Sequence, residues 1–197
     1  MEERKRITLP MSHETARQLR AGDRVLLSGT VYTGRDAAHK RLAALARAGE
    51  PLPFDPRDQT IYYVGPAPTP PGRAMGSAGP TSSYRMDPYT PGLLALGLTG
   101  MIGKGLRSQQ VIDAMIRYGA VYFAAPGGAA ALIAESILSQ ELVTYEDLGT
   151  EAVRRLTIRD FPAIVAIDAQ GNDLYQTQPP LYRHTPLTAA PDTPIPQ

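Results

Sequence analysis

"RVLLSGTVYTGRDAAHKRLAALARAG", residues 24–49, is the stretch that decides the fold class. Its first part, 24–33, is apolar and β-branched, which predicts a buried strand. Its last part, 36–49, carries Ala38, Leu42, Leu45 and Ala46 on one helical stripe and ends at Gly49, so it predicts an amphipathic helix with a glycine stop. A strand joined to a helix by two residues is the unit of an α/β sheet.

The same alternation runs outward in both directions. On the N-terminal side, 5–10 predicts a short strand. Ser12 is placed to cap a helix through Leu19, closed at Gly22. On the C-terminal side, "TIYYVGP" (60–66), "LTGMIGKG" (98–105) and "AVYFAAP" (120–126) predict strands. Between them lie a Pro-bearing loop (50–59) and a loop dense in Pro, Gly and Ser (67–85). A helix follows from Asp87-Pro88 to about Gly97, with Asp87 as cap, and Ser108 caps "QQVIDAMIRYG". "AAALIAESILS" predicts a further helix, 141–148 a strand, and 149–155 a helical turn. "FPAIVAIDAQGNDLY" (161–175) reads as a hairpin turning at Gln170–Asn172. The expected architecture is α/β with a mixed sheet flanked by helices. It forms one domain over 1–176, followed by a Pro-rich tail, 177–197, that is extended or disordered. Loop 67–85, poor in packing residues, is expected to be partly disordered.

Composition narrows the function. The chain has 197 residues, a net charge of +1 and no cysteine. The near balance of charge lacks the basic footprint of a nucleic-acid binder. Without cysteine there is no disulfide, no thiol nucleophile and no thiolate ligand for an iron–sulfur cluster. Three histidines (His13, His39, His184) offer little for a zinc site. No segment reaches membrane-spanning length and the charged N-terminus lacks a secretory core, so a cytoplasmic protein is expected.

Four places join a special backbone to a polar group. Arg35 stands at a predicted helix start, where anions are favoured; the alternative is a capping Asp36 beside a solvated Arg35. In "GPTSSYRMD" (79–87) a Gly-Pro turn presents Thr81 and then Arg85; the alternative is incidental loop polarity. Lys104 lies between two glycines. It is not a phosphate loop, because the Walker spacing requires glycine at 98 and Ser or Thr at 105, where Leu98 and Gly105 stand. "PGG" (126–128) reads as an ordinary strand-to-helix turn. Arg35, Arg85 and Lys104 with Thr81, gathered at strand ends, suit a small dicarboxylate.

Five segments, "LLSGTVYTGRDAAHKRL", "YYVGPAP", "GSAGPTSSYRMDPYTP", "MIGKGLRSQQV" and "FPAIVAIDAQGNDLY", occur in this order. Together they resemble the β-subunit of class I fumarase, the iron–sulfur fumarate hydratase, and its L-tartrate dehydratase relative. The resemblance spans about 5–176. It implies a swivelling β/β/α domain and reversible hydration of fumarate to malate. It also implies a [4Fe–4S] cluster held by cysteines of a partner α-subunit and not by this chain. By the same resemblance Arg35, Arg85 and Lys104 bind substrate, Thr81 is the proposed base, and the assembly is a homodimer or heterotetramer. Gly34 and Ser82-Ser83-Tyr84 depart from the commoner pattern. His39, one turn from Arg35, is expected to make a structural hydrogen bond. The reading of another class is a non-catalytic anion-binding module.

Overall fold

The computed structural model describes residues 4–126 and 128–182. Gly127 of the Pro-Gly-Gly turn and residues 183–197 of the expected tail lie outside the described residues.

The strands are β1 (Lys5–Leu9), β2 (Arg24–Thr33), β3 (Thr60–Tyr62), β4 (Gly100–Gly103), β5 (Val121–Ala124), β6 (Ile137–Thr144) and β7 (Val153–Ile167). The helices are α1 (His13–Gln18), α2 (Asp36–Ala48), α3 (Thr90–Ala95), α4 (Gln109–Tyr118), α5 (Ala130–Glu135) and α6 (Leu174–Tyr182). All seven strands join one mixed sheet in the order β1-β2-β3-β4-β5-β7-β6. β1 through β5 run parallel to their neighbours, and β7 pairs antiparallel with β2, β5 and β6. Because β7 returns to β2, the run β2-β3-β4-β5-β7 closes on itself.

Closure separates the core into two parts by the two-residue period of the strands. Tyr62, Ile102 and Phe123 turn inward with Leu27, Val31, Leu156 and Val165. Their chain neighbours Ile61, Met101 and Tyr122 turn outward and are covered by Leu42 of α2, Leu93 and Leu94 of α3, and Val111 and Met115 of α4. The helices start and stop for local reasons. Ser12 Oγ accepts the Thr15 N–H at 3.2 Å at the start of α1, and α2 and α4 end at Gly49 and Gly119 in the left-handed region.

Three expectations change. The predicted hairpin at 161–175 is instead the second half of β7, followed by a turn and α6. β7 is a single strand, interrupted at Asp160 (φ 51°), whose N–H donates to Ser28 Oγ at 2.9 Å. The irregularity resembles a strand end in sequence, but tertiary pairing with β2 carries the strand through it. β6 begins at Ile137, earlier than expected, so α5 is short. α6 runs past Gln176 to Tyr182, into the segment read as an extended tail. Its first turn is fixed by Asp173, whose Oδ1 accepts the Tyr175 N–H at 2.8 Å.

Candidate active site

Parallel β2, β3 and β4 bring their C-terminal ends together, and the predicted site residues follow those ends. Arg35 comes two residues after β2 and Lys104 directly after β4. Between them enters the "GPTSSYRMD" segment. Thr81 N–H donates to Tyr63 O (2.7 Å), Lys104 N–H to Thr81 O (3.3 Å) and Ser83 N–H to Lys104 O (2.8 Å). Pro80 bridges Val64, and Ser82 bridges Lys104. The segment is thus built into the rim of the sheet, which fixes Thr81 beside the Lys104 backbone. Gly103 makes this approach feasible, since a Cβ there would lie 2.0 Å from Ser83 Oγ and 2.8 Å from the Tyr63 ring.

Arg85 sits on a 3₁₀ turn, Ser83–Met86, anchored by buried Ser83 and Met86. The helix expected from Asp87 starts later, as α3, because the Asp87 carboxylate is engaged elsewhere. Its Oδ1 accepts Arg107 Nε (2.7 Å) and its Oδ2 accepts the Ser108 N–H (2.6 Å) ahead of α4. Arg107 is fully buried and also reaches Thr90 Oγ1 (2.9 Å) and the Tyr63 hydroxyl (3.3 Å). The turn bearing Arg85 is therefore tied to the start of α4.

Arg35 occupies the N-cap position of α2 with extended backbone and no side-chain cap. Asp36 does not cap the helix either. Its Oδ1 forms an ion pair with Arg85, 2.8 Å from Nε, and its Oδ2 lies 3.9 Å from Arg35 Nε. One carboxylate thus stands between both candidate substrate arginines. The cap comes from Glu151, distant in sequence, whose Oε2 accepts the Ala37 N–H at 3.0 Å and whose Oε1 lies 3.4 Å from Arg35 Nη2. Thr33 delivers Glu151 there, because its hydroxyl donates to Ala152 O (3.0 Å) and accepts the Arg154 N–H (2.8 Å). The Arg35 guanidinium lies on Gly65, where a Cβ would fall 2.5 Å from Nη1. Arg35 Nε and Asp36 Oδ2 are buried without a hydrogen-bond partner, so this pair holds unused bonding capacity.

His39 is fully buried. Its Nδ1 lies 2.9 Å from Arg35 O; a carbonyl only accepts, so Nδ1 carries the proton. Nε2 has no partner. Burial pushes its pKa down to about 4, outweighing the Arg35 carbonyl, with a smaller push in the same direction from Arg107. His39 is a neutral brace for the Arg35 backbone, the structural role expected of it.

Thr81 is half-buried, while Lys104 and Arg85 are exposed. Among the described residues neither the Thr81 hydroxyl nor the Lys104 ammonium has a hydrogen-bond or ion-pair partner. The arrangement is an open, cationic rim with a free hydroxyl, fitted to carboxylates. Loop 67–85, expected to be partly disordered, is packed instead. Met75 and Ala78 join the inner core, and Gln140 Nε2 donates to Ala74 O at 2.6 Å.

The sequence did not assign roles to Glu151, Gly65 or Arg107. Arg107 and Gly65 lie in the quoted motifs, which was the available signal; Glu151 carries none, because its contact with α2 crosses 114 residues of chain.

A family model described as Fumarase C-terminus matches residues 1–178, and the chain belongs to that family. It is 47% identical over 155 residues to "Fumarate hydratase class I, aerobic" of Escherichia coli (strain K12), covering 78% of this chain and 28% of that protein. It is 41% identical over 160 residues to "Fumarate hydratase 2" of Leishmania major, covering 80% of this chain and 28% of that one. It is 36% identical over 172 residues to a Methanocaldococcus jannaschii protein provisionally named L(+)-tartrate dehydratase subunit beta, covering 84% of this chain and 88% of that protein. The chain therefore spans just over a quarter of the length of the fumarate hydratases and nearly all of the separate subunit.

Proposed function

We propose that this chain is the β-subunit of a two-subunit hydro-lyase that interconverts fumarate and (S)-malate and is active only with its α-subunit. The observation that carries the reading is the convergence of Arg35, Thr81, Arg85 and Lys104 on one open rim at the ends of β2, β3 and β4. The family membership supports it, as does the near full-length match to a protein named as a subunit.

In this reading the two arginines and Lys104 hold the substrate carboxylates. When malate loses water, a C–H proton is removed next to a carboxylate and the C–O bond breaks. Cations on that carboxylate stabilise the negative charge that develops there. Thr81 is the family's candidate for the proton, and its hydroxyl is free to take part. A threonine hydroxyl is far too weakly acidic to ionise alone at neutral pH. Thr81 therefore acts as a base only when the neighbouring cations stabilise its alkoxide, and otherwise relays or positions.

The iron–sulfur cluster implied by the family does not fit this chain. There is no cysteine, and among the described residues no group of three or more His, Cys, Asp or Glu could hold a metal ion. The rim is cationic, the wrong donor set for a cluster. The reading assigns the cluster to the cysteine-bearing α-subunit, and no step on this chain runs through it. Among the described residues no helix is long and apolar enough to cross a membrane; a cytoplasmic enzyme of the tricarboxylic acid cycle, assembled as a homodimer or heterotetramer, goes with the proposal.

The M. jannaschii relative favours a second reading, L-tartrate dehydratase, which differs in the substrate's extra hydroxyl. The test is anaerobic reconstitution with the α-subunit, followed by parallel assays of fumarate, mesaconate and L-tartrate. Fumarate turnover well above the others is expected. Preferential loss of water from tartrate selects the second reading, and no turnover of any dicarboxylate by a cluster-loaded complex rejects both.

A further inference from the structure

Lys104 presents its ammonium from a peptide that is gripped on both flanks. Upstream, its own N–H and C=O are bonded to Thr81 O and the Ser83 N–H. Downstream, the Gly105 C=O accepts the Tyr122 hydroxyl at 3.0 Å, and Tyr122 Oη lies 2.9 Å from Ser83 Oγ. The remaining group, the Gly105 N–H, donates to the Tyr175 hydroxyl at 3.2 Å, a contact across 70 residues of chain. Gly105 has φ 81°, a conformation that an unrestrained chain leaves easily. Tyr175 is itself held in place. It stands in the first turn of α6, where buried Asp173 accepts its N–H at 2.8 Å and the Thr177 hydroxyl donates to Asp173 O at 2.9 Å. Its ring packs on the outer core.

We infer that Tyr175 is a positioning residue for Lys104, holding the 104–105 peptide through the Gly105 N–H so that the ammonium is presented beside Thr81. The inference gives α6, the last described element, a part in the site, and it rests on the proposed function for Lys104. A hydroxyl that fixes a peptide bond adjoining a substrate-binding lysine acts on the substrate's placement, where small displacements are expensive in rate.

The experiment is a double-mutant cycle in the reconstituted complex with Tyr175→Phe, Lys104→Ala and both together. It is read as kcat/KM for fumarate and as the affinity for succinate, an unreactive dicarboxylate, by calorimetry. Tyr175→Phe keeps the ring and removes one hydrogen-bond partner. The expected result is a loss of about tenfold in both readouts, with the melting temperature of the chain unchanged, and no further loss when Lys104→Ala is already present. Wild-type behaviour of Tyr175→Phe overturns the inference. So does an equal loss in both backgrounds, which means the hydroxyl acts through the scaffold and not through Lys104. A wild-type complex that binds succinate but turns over no dicarboxylate rejects the hydro-lyase reading alone, and the affinity cycle still decides the coupling. A wild-type complex that does neither overturns both.

Discussion

Arg85 and Arg107 are linked through one short stretch of chain but use their donors in opposite ways. The Arg107 side chain is fully buried. It bonds Asp87, Thr90 and Tyr63, and its guanidinium lies 5.4 Å and 5.2 Å from the ring centres of Tyr63 and Tyr122. The Arg85 side chain is 42% exposed and pairs with one carboxylate among the described residues, Asp36, which its Nε approaches at 2.8 Å. The contrast separates an arginine that builds the site from one that is available to a ligand. A guanidinium that is buried with all three nitrogens engaged by the protein is not available to a substrate. One held by Nε keeps its terminal edge, the edge suited to bidentate capture of a carboxylate. Arg35 lies between the two, with its Nη2 3.4 Å from Glu151 and a buried, unsatisfied Nε.

Removing each arginine in turn should have opposite effects. Arg107→Ala leaves the Asp87 carboxylate and two hydroxyls without their partner in a buried place. A loss of about 3–5 kcal/mol in stability is expected in denaturant melts of the free chain. Arg107→Lys recovers only part, since the planar fork is lost. Arg85→Ala should do the reverse. The chain melts as wild type, but turnover of the complex falls about 10²–10³-fold. Equal stability losses for both variants would erase the distinction.

His39 gives a pH-dependent form of the same division. Its folded pKa, about 4, lies below its ordinary value near 6.5. Between those values the unfolded chain takes up a proton that the folded chain refuses. Stability is therefore full above pH 6.5 and falls as pH drops toward 4, by at most about 3 kcal/mol. His39→Gln, which still offers an N–H to Arg35 O, should flatten this part of the stability–pH curve. An unchanged slope would mean that His39 is not the group responsible. The smallest expected effect is that of Gly65→Ala. The three atoms nearest to its Cβ all belong to the Arg35 side chain and none to backbone, so stability should change by under about 1 kcal/mol. KM for fumarate should rise several-fold as the guanidinium is displaced. An unchanged KM would remove Arg35 from the substrate contacts.

Part of this molecule was readable along the chain. The strand 24–33 and the helix from Asp36 to its Gly49 stop are set by local apolar period and a glycine cap, and they appear with those limits. α1 and α4 begin right after the serines expected to cap them, but only Ser12 makes the cap bond; Ser108 makes none, and α1 stops at an extended Leu19 and not at Gly22. The Gly-Pro turn, Arg85 and Lys104 could be singled out because glycine and proline mark special backbone wherever they occur. Errors began where long-range pairing overrode local signals. Residues 161–175 read as a hairpin of their own, yet pairing with β2 on both sides of Asp160 joins 153–167 into one strand. Asp87 looked like a helix cap, yet a buried arginine 20 residues on claimed its carboxylate.

The α/β alternation, the family and the identity of the polar residues on the rim follow from the order of residues alone, because period, caps and motif order are local properties. How those residues are divided is set by the three-dimensional fold. Closure of β7 onto β2 brings Glu151 to α2 and, through α6, sets Tyr175 against Gly105, while Tyr63, Thr90 and Tyr122 enclose Arg107 behind the rim. Each of these depends on contacts between parts of the chain far apart in sequence. Which arginine is spent on the protein and which is left for a ligand is fixed by burial and partners, and neither is written in the residue type.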